Sequence, residues 1–252
     1  MPINNHFPLL EYDPDPRAVV EPGHDASGLR LPENCAFPFL GETVADYARE
    51  HGLPVLGEFI TITKRLPVYR VSDALCLCEA PMGAPVAASC LDWLIACGVR
   101  RVVAAGSCGA LIDLPENAFV LPRRALRDEG TSFHYLPAAR WIELDGAARR
   151  QIEGVFAAEG LPFVETDTWT TDAIFRETAG KIALRREEGC GVVEMECAAL
   201  AAVARFRGAA FGQFLYTADS LANAEAYDER DWGADSLAPA LRLCLKIAGT
   251  WT

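Results

Sequence analysis

The chain has 252 residues, of which 51% are hydrophobic and 23% are charged, values that suit one large globular α/β domain and exclude a wholly disordered chain. Its net charge of -12 argues against binding to the nucleic-acid backbone and against docking on anionic membranes. A phosphate site is still compatible with this charge, because such a site needs positive charge only locally. No apolar run is long enough to cross a membrane.

The nine cysteines are odd in number, form no Cys-x-x-Cys pair and lie mostly in apolar surroundings. This pattern is typical of reduced core residues in a cytoplasmic protein. The four histidines lie far in sequence from any cysteine pair, so we expect no metal site. The start of the chain has neither the basic residues nor the apolar core of a signal peptide, which also favours the cytoplasm.

Residues 1–38 are rich in Pro, Asp, Asn and Gly, and we expect a mostly irregular N-terminal segment with short extended pieces there. After it, apolar runs alternate with helical periodicities, and no linker or repeat divides the chain, so we treat 1–252 as one domain. Strands are predicted at 59–63, 66–71, 74–80, 99–105, 118–122, 162–165, 192–193 and 209–216. Helices are predicted at 41–52, between Pro85 and Gly98, and at 145–160, 178–188, 197–206 and 236–249, with an exposed segment at 123–135.

Two glycine-containing turns follow predicted strands. Pro81-Met82-Gly83-Ala84-Pro85 leads into a helix, and Gly106-Ser107-Cys108-Gly109 follows the strand at 99–105. A glycine turn before a helix can bind an anion, but it can equally be a tight strand-to-helix turn. The second turn lies at the carboxyl end of a predicted parallel strand, where open α/β sheets bind ligands. The Ser107 hydroxyl and nearby N–H groups can hold phosphate oxygens there.

The string Glu194-Met195-Glu196 lies between a buried strand and a buried helix rich in Ala, Leu and Val. A carboxylate at such a junction must be hydrogen-bonded or paired, because burial of an unpartnered charge is costly. One interpretation is that Glu196 merely caps the helix N-terminus, where an acidic group is favoured. The other interpretation comes from the resemblance that this string shares with the rest of the chain.

The Glu-Met-Glu string, together with Gly83 and residues 106–109, resembles the nucleoside phosphorylase family, which includes purine nucleoside phosphorylases, uridine phosphorylases and methylthioadenosine nucleosidases. Residues 169–172 and 216–220 resemble that family too, and the pieces occur in the family's order. The resemblance implies a single α/β domain with a mixed, twisted central β-sheet flanked by helices. It also implies cleavage of a nucleoside N-glycosidic bond, no metal or organic cofactor, and a homo-oligomer (a dimer, trimer or hexamer).

The resemblance assigns roles to five residues around the nucleoside. Glu196 accepts hydrogen bonds from the ribose hydroxyls, and Met195 packs against the sugar. Trp169 stacks on the nucleobase, while Thr170 and Glu194 also contact the substrate. Judged from the residues alone, Trp169 fits equally well as a core side chain.

A sixth residue, Asp219, matches the family position that faces the purine N7. The resemblance makes it the general acid that turns the base into a better leaving group.

The phosphate site is implied by the same resemblance and consists of Gly83, Gly106, Ser107 and Arg17. Arg17 belongs to residues 12–18, which are similar to the family's Gly-Asp-Pro-x-Arg loop, although Tyr12 replaces the glycine. Ala104 stands where many phosphorylases have a phosphate-binding arginine. The basic residues that could compensate are Arg17, Arg30, Lys64, Arg65 and Arg70.

We predict an enzyme, a nucleoside phosphorylase that uses phosphate as its co-substrate and releases free base and ribose 1-phosphate. Ala104 favours an alternative, a hydrolytic nucleosidase that uses water and releases free ribose, because a guanidinium is the usual partner of a bound phosphate. A nucleoside-binding protein without catalysis is a third alternative. Purine and uridine-like nucleosides are both compatible with the sequence.

Overall fold

The computed structural model describes residues 5–26 and 28–251. The strands within these ranges are β1 (Asn34–Pro38), β2 (Val55–Ile60), β3 (Arg65–Arg70), β4 (Leu75–Cys78), β5 (Arg101–Ala110), β6 (Phe119–Asp128), β7 (Trp141–Glu143), β8 (Val164–Thr171), β9 (Cys190–Glu194) and β10 (Ala210–Ser220). The α-helices of the same ranges are α1 (Glu42–Glu50), α2 (Ala84–Ala96), α3 (Ser132–Tyr135), α4 (Gly146–Glu159), α5 (Ala179–Glu187), α6 (Cys197–Arg207) and α7 (Leu237–Gly249).

The strands form one mixed sheet, as the resemblance implies. They pair in the order β2-β3-β4-β1-β5, and β5 also belongs to a closed ring of strands, β5-β10-β6-β8-β9, while β7 pairs with β6. β1 is parallel to β4 and β5, and β10 is parallel to β5. The β2–β3 and β5–β9 pairs are antiparallel. One side of the sheet therefore closes into a small barrel instead of remaining open.

Helices cover both faces of the sheet. α2 and α6 pack on one face, and α1, α4 and α7 pack on the other. Strands that are covered on both faces become continuous apolar runs, which is why β1, β4 and β5 are rich in Ala, Val, Leu and Cys. The N-terminal ends of α2 and α6 meet, because the Gly83 N–H before α2 donates to the side chain of Glu196, which directly precedes α6.

Residues 5–26 and 28–33 are irregular apart from one 3₁₀ turn at Pro8–Leu10, and residues 1–4 and 27 of the N-terminal segment lie outside the described residues. The last five residues of the segment are the extended piece expected within it. Asn34–Pro38 form β1, a fully buried strand between β4 and β5. Its sequence, Asn-Cys-Ala-Phe-Pro, begins and ends with residues that are depleted in strands, and this hides the short apolar run between them.

Three strands run further than their apolar patterns predict. β5 continues through the Gly-Ser-Cys-Gly string, β8 extends to Thr171, and β6 reaches Asp128 although residues 123–135 are predicted as an exposed segment. The later parts of these strands lie inside the closed ring. There their backbone groups form hydrogen bonds with the neighbouring strands, although many of the residues are polar. The extra length brings the glycine string and the end of β8 beside Glu194.

Candidate active site

The ends of β5 and β10 and the N-termini of α2 and α6 surround a cavity of about 470 Å³. Its lining is strongly acidic, with five carboxylic residues: Glu79, Glu177, Glu194, Glu196 and Asp219. Among the described residues that line it, Lys64 supplies the one positive charge, and the Lys64 Nζ lies 3.6 Å from Glu79 Oε1. A second cavity adjoins the first and shares Glu177 and Asp219 with it.

Glu194 ends β9 and holds the start of α6 in place. Its Oε2 accepts hydrogen bonds from the N–H groups of Glu196 (2.8 Å) and Cys197 (2.6 Å), which are free donors at a helix N-terminus. Its Oε1 accepts from the hydroxyls of Thr170 (2.6 Å) and Thr168 (3.2 Å). Burial raises the pKa of Glu194, while these four donors favour the charged form. Glu194 therefore supports the site from beneath.

Replacing Glu194 by glutamine should lower the free energy of unfolding by about 1–3 kcal/mol, because one amide cannot accept from all four buried donors. Urea denaturation measures the change. Glu187→Gln, an exposed glutamate of α5, is the matched control and should unfold like the wild type. Equal stability of the two variants would show that the Glu194 carboxylate does not hold the start of α6.

Glu196 is 7% exposed and lines the cavity next to Met195. Its Oε1 accepts a hydrogen bond of 2.5 Å from the Gly83 N–H. Burial, followed by the negative charge of Glu194, raises the pKa of Glu196 from 4.5 to about 8. The hydrogen bond from the Gly83 N–H lowers this pKa but does not offset the rise. The side chain is thus held in a fixed orientation while one of its oxygens remains available to a ligand.

The raised pKa of Glu196 predicts a pH dependence of stability. A carboxyl group with a pKa of 4.5 when unfolded and about 8 when folded binds more protons in the folded state between these values. The contribution of Glu196 to the free energy of unfolding should therefore be largest below pH 4.5 and should fall as the pH rises to about 8. Thermal unfolding at several pH values measures the slope. Glu196→Gln should flatten it, and an unchanged slope would contradict the assignment.

Asp219 and Glu177 lie on the side of the cavity that adjoins the second one. Asp219 Oδ2 accepts a hydrogen bond of 3.0 Å from the Tyr227 hydroxyl, and burial raises the pKa of Asp219. Burial, and next the charge of Asp219, raise the pKa of Glu177 to about 7. The charge of Asp219 favours the protonated form of Glu177, so this side of the cavity can hold a proton near neutral pH.

The glycine string of β5 gives the cavity its floor. Gly106, Ser107 and Gly109 all line it. A Cβ added to Gly109 would lie 2.7 Å from a methyl carbon of Leu221 and 3.1 Å from Asp219 Oδ1. A side chain at position 109 would therefore push the Leu221 methyl group away and crowd the Asp219 carboxylate, which favours glycine there.

A sequence model described as the Phosphorylase superfamily matches residues 35–246 of this chain. The chain belongs to this superfamily. A curated relative, the guanosine phosphorylase of Halorubrum lacusprofundi, is 30% identical over 143 residues, which cover 53% of this chain. The match spans 56% of that relative's length.

Solved structures share the superfamily fold. The AMP nucleosidase of Bacteroides thetaiotaomicron aligns with a TM-score of 0.71 at 20% identity, over 87% of this chain and 88% of the other. The purine nucleoside phosphorylase of Toxoplasma gondii aligns with a TM-score of 0.71 at 14% identity, over 92% of this chain and 97% of the other. The uridine phosphorylase of Vibrio fischeri aligns with a TM-score of 0.70 at 20% identity, over 91% of this chain and 92% of the other.

The structure corrects the role expected for Trp169 within this superfamily fold. Its ring is fully buried, packs in a cluster with Leu126, Ile182 and Val193, and does not line the cavity. Its Nε1 donates a hydrogen bond of 3.0 Å to Asp128 Oδ2. Side chains alternate along a strand, so the neighbours of Trp169 on β8 face Glu194 while Trp169 faces the opposite side. Trp169 is a core residue, and its ring does not stack on a nucleobase.

Thr170 and Gly83 also act differently from the expectation. Thr170 is buried, donates to Glu194 and accepts from the Ala198 N–H, so it positions Glu194 and does not line the cavity. The Gly83 N–H is occupied by Glu196, which leaves it unavailable to phosphate in this arrangement. Gly83 has a φ of 98°, a conformation that L side chains rarely adopt.

Arg17 lies away from the cavity. Its exposed guanidinium pairs with Asp15 at 3.3 Å, and Arg207 at the C-terminal end of α6 donates to the Pro16 carbonyl beside it. The cavity lies at the other end of α6. Residues 12–18 also precede the superfamily match, which begins at residue 35. Within one chain Arg17 therefore does not reach this cavity.

Several residues that line the cavity were not predicted as site residues from the sequence, namely Lys64, Glu79, Ile174, Glu177 and Trp232. Lys64 was named there only as one of five possible compensating charges. Ile174 and Glu177 follow β8 by a few residues, so the same segment that carries Trp169 reaches the cavity later than expected. The signal in the sequence was the polar pair Glu177-Thr178 between a 3₁₀ turn and α5, which is indistinguishable from a helix start.

Within residues 5–26 and 28–251, no helix is both long and apolar enough to cross a membrane. The same residues contain no group of three or more His, Cys, Asp or Glu side chains arranged to hold a metal ion.

Proposed function

We propose that this chain cleaves the N-glycosidic bond of a purine nucleoside by phosphorolysis, releasing the free base and ribose 1-phosphate. The observation that carries the proposal is that one cavity brings together Glu196 and Met195, the Gly106-Ser107 string and Asp219. Superfamily membership and the similarity to a guanosine phosphorylase support the same chemistry.

In the proposed reaction the bond between C1′ of ribose and the base nitrogen breaks, and its electron pair leaves with the base. Glu196 accepts hydrogen bonds from the ribose hydroxyls, and Met195 packs against the sugar. A phosphate oxygen near Ser107 then forms the new bond to C1′. The sugar gains positive charge as the base leaves, and the carboxylates of the lining stabilise that charge in a partly enclosed space.

Asp219 is the proposed general acid. It donates its proton to N7 of the purine, so the base leaves as a neutral molecule instead of an anion. Burial of the carboxyl raises its pKa and helps it to carry that proton, whereas the Tyr227 hydroxyl stabilises the carboxylate left behind. General acid catalysis of this kind is worth roughly 10²–10⁴-fold in rate.

Glu177 supports a 6-oxopurine as the base. Guanine offers N–H donors at N1 and at its amino group, and a carboxylate accepts both, whereas adenine presents an acceptor at N1. We expect the highest kcat/KM for guanosine, followed by inosine, with adenosine and uridine lower, in an assay of base release at saturating phosphate. Glu177→Gln should reduce the preference for guanosine over adenosine by about tenfold, the effect of one lost charge-assisted hydrogen bond. A preference for uridine would contradict the purine assignment.

A hydrolytic nucleosidase is the second candidate, favoured by Ala104 and by a lining in which Lys64 is the one cation among the described residues. It differs from the first candidate in its product, which is free ribose. A nucleoside-binding protein without catalysis is the third, and release of base from any nucleoside excludes it. The net charge of -12 supports the absence of nucleic-acid and membrane partners.

We also propose a cytoplasmic homo-oligomer. Met82 lines the cavity and Phe175 the adjoining one, yet these side chains are 79% and 95% exposed, and Ile62 near Lys64 is fully exposed. Large apolar side chains that are exposed together mark interaction surfaces. Light scattering should give a multiple of the 27.3 kDa chain mass, and a monomer would contradict the proposal. The nine buried free cysteines support a reducing compartment.

A further inference from the structure

Gln213 is a buried amide in the middle of β10 to which the proposed mechanism gives no role. It is 1% exposed, yet it lines the active-site cavity. Its Oε1 atom is buried and accepts no hydrogen bond from any of the described residues. A buried amide oxygen without a donor destabilises a protein. A ligand that donates a proton to this atom would remove the penalty.

The register of the sheet places Gln213 beside the glycine string. β10 runs parallel to β5, and Gln213 pairs with Ala104. Paired residues on neighbouring strands point their side chains to the same face, and the methyl group of Ala104 leaves space for the longer amide. Gly106 and Ser107 follow Ala104 on β5 and line the same cavity. By the same alternation Gly106 lies on the face of Gln213, so the amide lines the cavity beside the part of the glycine string whose backbone the proposed reaction places near phosphate.

The charges around this side of the cavity limit the form of phosphate that can bind. Lys64 is paired with Glu79, and four further carboxylic residues line the cavity. A phosphate that keeps a proton carries less negative charge and meets less repulsion from these groups. A side-chain amide is neutral, donates through Nε2 and accepts through Oε1, so it can pair with both the P–O and the P–O–H of such a phosphate.

We propose that Gln213 binds the phosphate co-substrate, with Oε1 accepting a hydrogen bond from a phosphate O–H and Nε2 donating one to a phosphate oxygen. The proposal rests on the phosphorolysis proposed above. It also makes Gln213 a residue that discriminates phosphate from sulfate, because sulfate has no proton to donate at neutral pH.

Gln213→Leu tests this assignment. The variant should be as stable as the wild type or more stable, because it removes a buried polar atom without a partner. The KM for phosphate should rise at least about tenfold, while the KM for guanosine stays unchanged. The inhibition constant of sulfate should change less than the KM for phosphate. A merely structural glutamine would lower stability and leave the KM for phosphate unchanged.

The chain offers a matched control in its other glutamine, Gln151 of α4, whose Nε2 donates to Thr250 near the surface. Gln151→Leu should leave both KM values unchanged. Gln213→Glu keeps the side-chain length and adds a negative charge, so it should also raise the KM for phosphate if the leucine variant fails to fold.

Two results would overturn the proposal, and they differ from each other. A wild type that depends on phosphate, with Gln213 variants of unchanged KM for phosphate, removes Gln213 from the site but leaves the proposed function standing. Release of base by the wild type that does not depend on phosphate overturns both.

Discussion

Replacing Glu196 by glutamine should lower kcat/KM for nucleosides by more than about tenfold, which corresponds to about 1.4 kcal/mol of lost transition-state stabilisation. The amide keeps the size of the side chain and can still accept from the Gly83 N–H. Glutamine cannot ionise, so it lacks the negative charge that Glu196, ionised above a pH of about 8, supplies to hydrogen bonds from the ribose hydroxyls and to the positive sugar. Steady-state kinetics with guanosine, at saturating phosphate, measures the effect.

The Glu196 variant needs proof that it is folded, which circular dichroism and its unfolding transition provide. Glu187→Gln serves as the control, since this glutamate at the end of α5 is exposed and does not line the cavity. If the folded Glu196 variant turns over nucleosides at nearly the wild-type rate, Glu196 does not bind ribose and only links the starts of α2 and α6 through its hydrogen bond from the Gly83 N–H.

Asp219→Asn should lower kcat/KM for guanosine by roughly 10²-fold or more, the lower end of the range for general acid catalysis. The loss on a nitrophenyl riboside should be much smaller, because a nitrophenolate leaves without being protonated. The asparagine keeps the shape of the side chain and its contact with the Tyr227 hydroxyl, so a difference between the two substrates reports the proton and not the packing.

The comparison of guanosine with the nitrophenyl riboside distinguishes proton donation by Asp219 from substrate positioning. Asp113→Asn, a change at an exposed turn, should affect neither substrate. Equal losses on guanosine and on the nitrophenyl riboside would show that Asp219 positions the substrate and does not donate a proton.

The parts of the site that the sequence could predict are those in which a short string contains all the residues that act together. Gly106 and Ser107 lie in one such string and Met195 and Glu196 in another, and all four line the cavity. The α/β class and most helices could be predicted for a similar reason, since alternating apolar runs and helical periodicities are local.

Trp169 shows where this reasoning failed. A match of residue types along β8 cannot tell which face of the strand each side chain occupies, and a shift of one residue exchanges the core face for the other. The register of β8 against β9 places Thr170 beside Glu194 and turns Trp169 into the core. Only the three-dimensional pairing of strands fixes that choice.

Glu177 and Gln213 show a second reason. Neither has an informative neighbour in sequence, because Glu177 reaches the cavity from the start of α5, and Gln213 reaches it from the middle of an apolar strand. Their relation to Asp219 and Ala104 arises from contacts between elements that are distant along the chain. The closed ring of strands that creates those contacts also had no local signature.

The products formed from guanosine in the presence and absence of phosphate test the central claim most directly. If the cavity performs phosphorolysis, free guanine and ribose 1-phosphate should appear in equal amounts, with a rate that rises with phosphate and saturates. Phosphorus NMR detects the sugar phosphate, and chromatography measures the base. Formation of free ribose at a rate indifferent to added phosphate would contradict the claim and would make water the acceptor in this acidic cavity.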